Sequence, residues 1–296
     1  MPNRKTRDRH LQKLAARRAA ERRRLRRRKI TAIVVSVAVV LAAGAFVFVA
    51  FTGGSSTPAA KSSATPTPNP STSSTPSPAG KFGTPKKTGT VTPLAAPPGK
   101  VACGGSVPKA AGEPKPQFAP APDPKKYLKP NTNYTATVDT SCGSFDISFY
   151  PEQAPDAVTS FVFLANRGFF DGLTFHRIVK GFALQGGDPL GNGSGGPGYQ
   201  FPNEIDKSLT FGKPGVVAMA NAGADTNGSQ WFVTLGADKN LDPSASGSYT
   251  IFGRVTKGMS TIKKLENIPT TTAPGGSEPS SPTEAAYIDS VKISES

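Results

Sequence analysis

The chain has 296 residues, a formal net charge of +15, 29 prolines and 31 glycines. Length alone would allow about two domains, but that much Pro and Gly keeps a large share of the chain out of any packed core and leaves one folded domain. The charge does not describe that domain: residues 1–29 hold fourteen Lys/Arg against Asp8 and Glu21, a net of +12, so the rest carries only +3 and a nucleic-acid partner is not expected.

The basic tail (1–29) runs into "ITAIVVSVAVVLAAGAFVFVAFT" at 30–52, which contains no charge. As a helix rising 1.5 Å per residue this run reaches about 35 Å, enough for a hydrocarbon core of about 30 Å. The Arg-rich flank stays in the cytoplasm by the positive-inside tendency, so the sequence predicts a single-pass cell-membrane protein with its folded domain outside. A cleavable signal peptide is the rival reading, with a shorter apolar run of about 7–15 residues. Residues 53–130, as in "SSATPTPNPSTSSTPSPAG", are rich in Pro, Ser and Thr. They have too little apolar surface to offset their ordering entropy, and read as a disordered tether with a reach of about 50 Å.

Cys103 in "KVACGGSVP" and Cys142 in "DTSCGSFD" fall on the outer side, where a disulfide can persist. A bond between them would staple the end of the tether to the domain; two free thiols are the alternative. Together with His176 they fall short of four zinc ligands, so no metal is expected.

From residue 131 onward the pattern is that of strands. "NYTATVDT" and "SFDISFY" flank a turn, with Phe145, Ile147 and Phe149 alternating at the period of two of a half-buried hairpin. A helix follows, with Pro155 in its first turn, Val158, Phe161, Val162 and Ala165 on one stripe and Gly168 at its end. Then come "VVAMA", "QWFVTL", "YTIFGRV" and "AYIDSVKI", with a second helix at "MSTIKKLEN". Many short strands and two helices point to a mainly β antiparallel barrel or sandwich.

"FHRIVKGFALQGGDPLGNGSGGPG" at 175–198 carries seven glycines between Gly186 and Gly198. A phosphate loop needs Gly-x-x-x-x-Gly-Lys-Ser/Thr opening a helix. No Lys lies between Gly186 and Gly198 and no helical pattern follows, so the glycines are read as turn residues. The segments "FHRIVKGFALQGGD" (175–188) and "MANAGADTNGSQWF" (219–232) resemble the two signatures of the cyclophilin family of peptidyl-prolyl cis-trans isomerases. The resemblance covers residues 131–296 and implies an eight-stranded antiparallel closed β-barrel capped by two α-helices.

It also implies a chemistry. Rotation about an X-Pro bond must overcome about 18–20 kcal/mol of lost amide resonance, and no bond is made or broken, so no cofactor is required. The resemblance makes Arg177 the catalytic residue, its guanidinium aimed at the proline nitrogen as the twisted amide regains a lone pair. Gln185 would orient Arg177, and Gln230 would hydrogen-bond the substrate backbone. Phe182, Phe232 and Leu241 would wall the proline pocket, the Asn221 backbone would pair with the residue before the proline, and Ala220 and Ala222 would keep the neighbouring groove open. Ala183 stands where the family usually has Met, Asn240 where many eukaryotic members have Trp, and Tyr249, at the pocket rim, where they have His; cyclosporin sensitivity is therefore in doubt. Without a triad pattern His176 reads as a structural neighbour of Arg177, and Trp231 as a core residue. The expected partners are proline-containing polypeptides and the membrane, with the protein a monomer. The alternative function is a non-catalytic proline-peptide binding module.

Overall fold

The computed structural model describes residues 82–93, 99–242, 249–273 and 277–296. The basic tail, the apolar run 30–52 and the first part of the expected tether lie outside the described residues. Among the described residues no helix is long and apolar enough to cross a membrane.

The second part of the expected tether is not tether. It holds β1 (Phe82–Gly83), β2 (Lys86–Val91), β3 (Lys115–Ala119), β4 (Ala121–Pro122) and the short helix α1 (Pro124–Tyr127). β2 pairs antiparallel with β3, and Ala102, Phe118 and Ala121 are buried. The folded unit therefore starts well before residue 131. A few apolar side chains anchor an otherwise Pro-rich stretch: Phe118 and Tyr127 meet Phe163 edge to face, with centroids 5.0 and 5.4 Å apart. The Phe118 amide donates to the Pro197 carbonyl at 2.7 Å, and Cys103 is joined to Cys142 by a disulfide.

The remaining strands are β5 (Tyr134–Thr140), β6 (Gly143–Phe149), β7 (Arg177–Val179), β8 (Ala183–Gly186), β9 (Val216–Met219), β10 (Trp231–Thr234), β11 (Ile251–Lys257), β12 (Thr270–Thr272), β13 (Pro279–Pro282) and β14 (Ile288–Glu295). Eight of them form one sheet in the order β14-β5-β6-β11-β9-β10-β8-β7, antiparallel throughout. The predicted hairpin is β5–β6, and its alternating exposure follows the period of two. Helix α2 (Pro155–Ala165) buries its residues 157–165, and α3 (Met259–Glu266) buries Ile262 and Leu265.

The sheet is a curled half-barrel and not the closed barrel expected. With three residues, β7 is too short to run along the eight of β14. Between these two edges the chain makes one isolated bridge, Thr174 with Tyr287. Three backbone hydrogen bonds accompany it: Gly172 to Ile288, Ile288 to Leu173 and Phe175 to Ala286.

The first turn of α2 has an unusual cap. The Glu204 carboxylate accepts from the Asp156 and Ala157 amides at 2.8 and 2.9 Å, satisfying two donors that a helix start leaves open. Burial nevertheless pushes Glu204 up to about 7, against those two hydrogen bonds. Burial and the charge of Asp123 push Asp156 up to about 6. Both groups hold protons in the folded state that the unfolded chain has released, so stability must fall as pH rises from about 4.5 to about 7 and level off above. Urea midpoints across pH 5–8 should decline on this limb. Glu204→Gln, which keeps one acceptor for the helix amides, should leave only the smaller decline that Asp156 carries; a wild-type midpoint that does not change would refute the shift.

Candidate active site

Residues directly opposite on antiparallel strands share a face, and the register lines up a row. Arg177 on β7 faces Gln185 on β8, Gln185 faces Phe232 on β10, and Phe232 faces Ala218 on β9. Their sequence neighbours Ile178, Leu184, Trp231 and Val233 point to the other face and are buried in the main core. Ala183, Phe211 and Ile251 join Phe232 and Ala218 of the row in a separate small apolar cluster. The period of two thus divides one sheet between a core and a site.

Above that cluster is a cavity of about 100 Å³ lined by Arg177, Phe182, Ala183, Gln185, Ala220, Asn221, Phe232, Leu241 and Tyr249. Its floor is held by ring contacts. Phe232 stacks on Phe211 at 6.1 Å and meets Tyr249 edge to face at 5.6 Å. Leu241 is brought in by a 3-10 turn capped by the Asp238 carboxylate, and Asp238 and Asp242 tie that turn to Phe211 through an amide and a carboxylate. Phe182 sits in the turn between β7 and β8, its ring centroid 5.7 Å from the Arg177 guanidinium carbon. Asn221 belongs to an amide network with Asn203 and Asn227, and Asn227 is fully buried.

Two of the expected site residues do not line the cavity. Ala222 is exposed, its amide bonded to the Thr226 hydroxyl in the following turn. Gln230 sits behind Gln185 and accepts from the Gln185 amide at 2.9 Å. The Gln185 amide nitrogen is thereby committed to Gln230. The Gln230 amide nitrogen in turn donates to the Gly193 and Gly195 carbonyls at 3.0 and 2.9 Å. Both N–H groups of a primary amide are then used, so a peptide would meet the Gln230 oxygen or must displace a loop carbonyl.

This gives the glycine stretch a role. The buried Asp188 carboxylate accepts from the Leu190, Asn192 and Gly193 amides, and the loop winds around it until the carbonyls of Gly193 and Gly195 meet Gln230. Gly187 has φ +81°, and a Cβ there would stand 2.2 Å from the Ser229 carbonyl oxygen, so no side chain fits. The loop is a clamp on the second signature segment.

Arg177 has a partner that the sequence motifs do not contain. Its Nη2 donates to Glu278 Oε1 at 2.8 Å, with the two side chains about one third and one half exposed. Glu278 lies far along the chain in "GGSEPSSP", where no spacing or periodicity marks it. Asp188, by contrast, closes the first signature segment and was there to be found. His176, one residue before Arg177, lines a different cavity of about 220 Å³ with Asp188 and Tyr287. Burial lowers its pKa, countered in part by Asp188; it stands away from the peptide pocket. Trp231 is fully buried, edge to face with Phe161 and Phe175.

Residues 135–293 match the family model of the cyclophilin type peptidyl-prolyl cis-trans isomerases. A probable peptidyl-prolyl cis-trans isomerase A of Mycobacterium leprae is 41% identical over 177 residues, 55% of this chain and 93% of that protein. The human peptidyl-prolyl cis-trans isomerase-like 1 is 43% identical over 150 residues, 50% of this chain and 86% of that protein. The crystal structure of a cyclophilin type isomerase of Cryptosporidium parvum superposes with a TM-score of 0.50 at 32% identity, covering 55% of this chain and 98% of that one. With more than half of its length matched, and with Arg177, Gln185 and Phe232 on neighbouring strands beside the apolar cavity, the chain belongs to the cyclophilin-type peptidyl-prolyl cis-trans isomerases.

Proposed function

We propose that this isomerase turns X-Pro bonds in secreted or surface polypeptides, that Arg177 is its catalytic group, and that residues 30–52 hold it as a monomer at the outer face of the cell membrane. The observation that carries the catalytic part is the row Arg177, Gln185, Phe232 beside an apolar recess of about 100 Å³. The recess takes the pyrrolidine ring. The guanidinium at its edge favours the twisted amide, whose nitrogen has regained its lone pair, over either planar form, and only such differential binding accelerates the step. Lowering the barrier by about 7 kcal/mol would be worth about 10⁵ in rate.

The purified protein should speed cis–trans exchange of an X-Pro peptide measured by NMR; binding without acceleration would favour the peptide-binding module instead. The placement outside the membrane rests on composition, namely the uncharged run and its Arg-rich flank. Protease added to intact cells should remove the domain, and protection would overturn the outward orientation.

A further inference from the structure

β12 and β13 form a two-stranded hairpin outside the eight-stranded sheet. Its base is fastened where the Thr283 amide and hydroxyl both donate to the Pro269 carbonyl, at 2.9 and 3.1 Å, and β13 lies against β7. Glu278 directly precedes β13, so the hairpin fixes where its carboxylate sits: 2.8 Å from Nη2 of Arg177, which itself lines the proline recess. Among the described residues Glu278 is the side chain that accepts a hydrogen bond from this guanidinium.

We propose that Glu278 determines specificity by shielding Arg177: it occupies one edge of the guanidinium and cancels its charge, so that acidic side chains beside a substrate proline are not captured by the catalytic arginine. The inference rests on Arg177 acting at the peptide bond. An open guanidinium fork is the preferred partner of a carboxylate. A Glu or Asp flanking the proline would pair with it and draw it off the amide nitrogen, binding the peptide tightly in an unreactive arrangement. A Lys at the same place would be repelled. With Glu278 in contact, an approaching charge meets a compact ion pair instead of a bare cation, and solvent screens what remains. The site then accepts prolines in acidic and basic surroundings alike.

The test compares the full-length protein with Glu278→Gln on three peptides that differ only in Glu, Ala or Lys next to the proline, with kcat and KM determined separately at low salt. In the wild type, KM for the Glu and Lys peptides should agree within about 2-fold. In Glu278→Gln the Lys/Glu ratio of KM should rise by about 5-fold, kcat on the Glu peptide should fall together with its KM, and about 0.5 M salt should abolish the difference. An unchanged ratio, or an equal change on all three peptides, would overturn the proposal. Full activity in Arg177→Ala would overturn the reading of Arg177 itself, a separate failure visible on the Ala peptide.

Discussion

Replacing Arg177 with alanine is expected to lower kcat/KM for X-Pro exchange by about 100- to 1,000-fold, the usual loss when one preorganised donor aimed at a transition state is removed. The fall should lie in kcat, because the proline ring is held by Phe182, Phe232 and Leu241 and not by the guanidinium. The fold should survive: Arg177 opens an edge strand of three residues, and its partly exposed ion pair with Glu278 is the kind that contributes about 0–1 kcal/mol. Arg177→Lys should recover little, since a point charge on a flexible stem cannot keep one N–H edge on Glu278 and present another to the substrate. NMR exchange on a neutral peptide, with circular dichroism to check the fold, reads both variants. A kcat within a few-fold of wild type in Arg177→Ala would remove the arginine from the mechanism.

What the sequence disclosed followed from local rules. Alternation in "SFDISFY" placed Phe145, Ile147 and Phe149 on a buried face, and Pro155 marked the start of α2. The two signature segments collected most of the cavity, because strand register turns sequence neighbours into opposite faces and distant strands into one row. The rest depended on pairings that no window of sequence contains. Gln185 bonds Gln230 only because β8 and β10 are neighbours, and Glu278 reaches Arg177 through a hairpin that closes 101 residues downstream. The openness of the sheet depends on the length of β7, which a motif match does not define. The packing of residues 99–130 was hidden by composition: averaged over a Pro-rich window, Phe118 and Tyr127 disappear, although both meet the one ring of Phe163.

That packed segment carries the largest expected effect on stability. Replacing Cys103 and Cys142 together with serine should cost about 4 kcal/mol, the loop-closure entropy that a cross-link spanning 39 residues removes from the unfolded chain. Cys142 is buried at the β5–β6 turn. Cys103 lies in the 3-10 turn Ala102–Gly104, whose neighbourhood is otherwise held by Ala102 donating to Ala285 and Ala285 donating to Lys100. Without the cross-link these two hydrogen bonds must order the stretch alone, and each contributes about 1 kcal/mol net, less than the backbone entropy of the residues they fix. The urea midpoint of the serine variant should therefore drop, a reductant should lower the wild-type midpoint to match, and amide exchange should accelerate first at Ala102 and Ala285. Activity on short peptides should be retained, because the cavity draws no residue from this stretch. A midpoint indifferent to both reductant and substitution would mean that the segment is held by Phe118 and Tyr127 on Phe163, with the cross-link adding nothing.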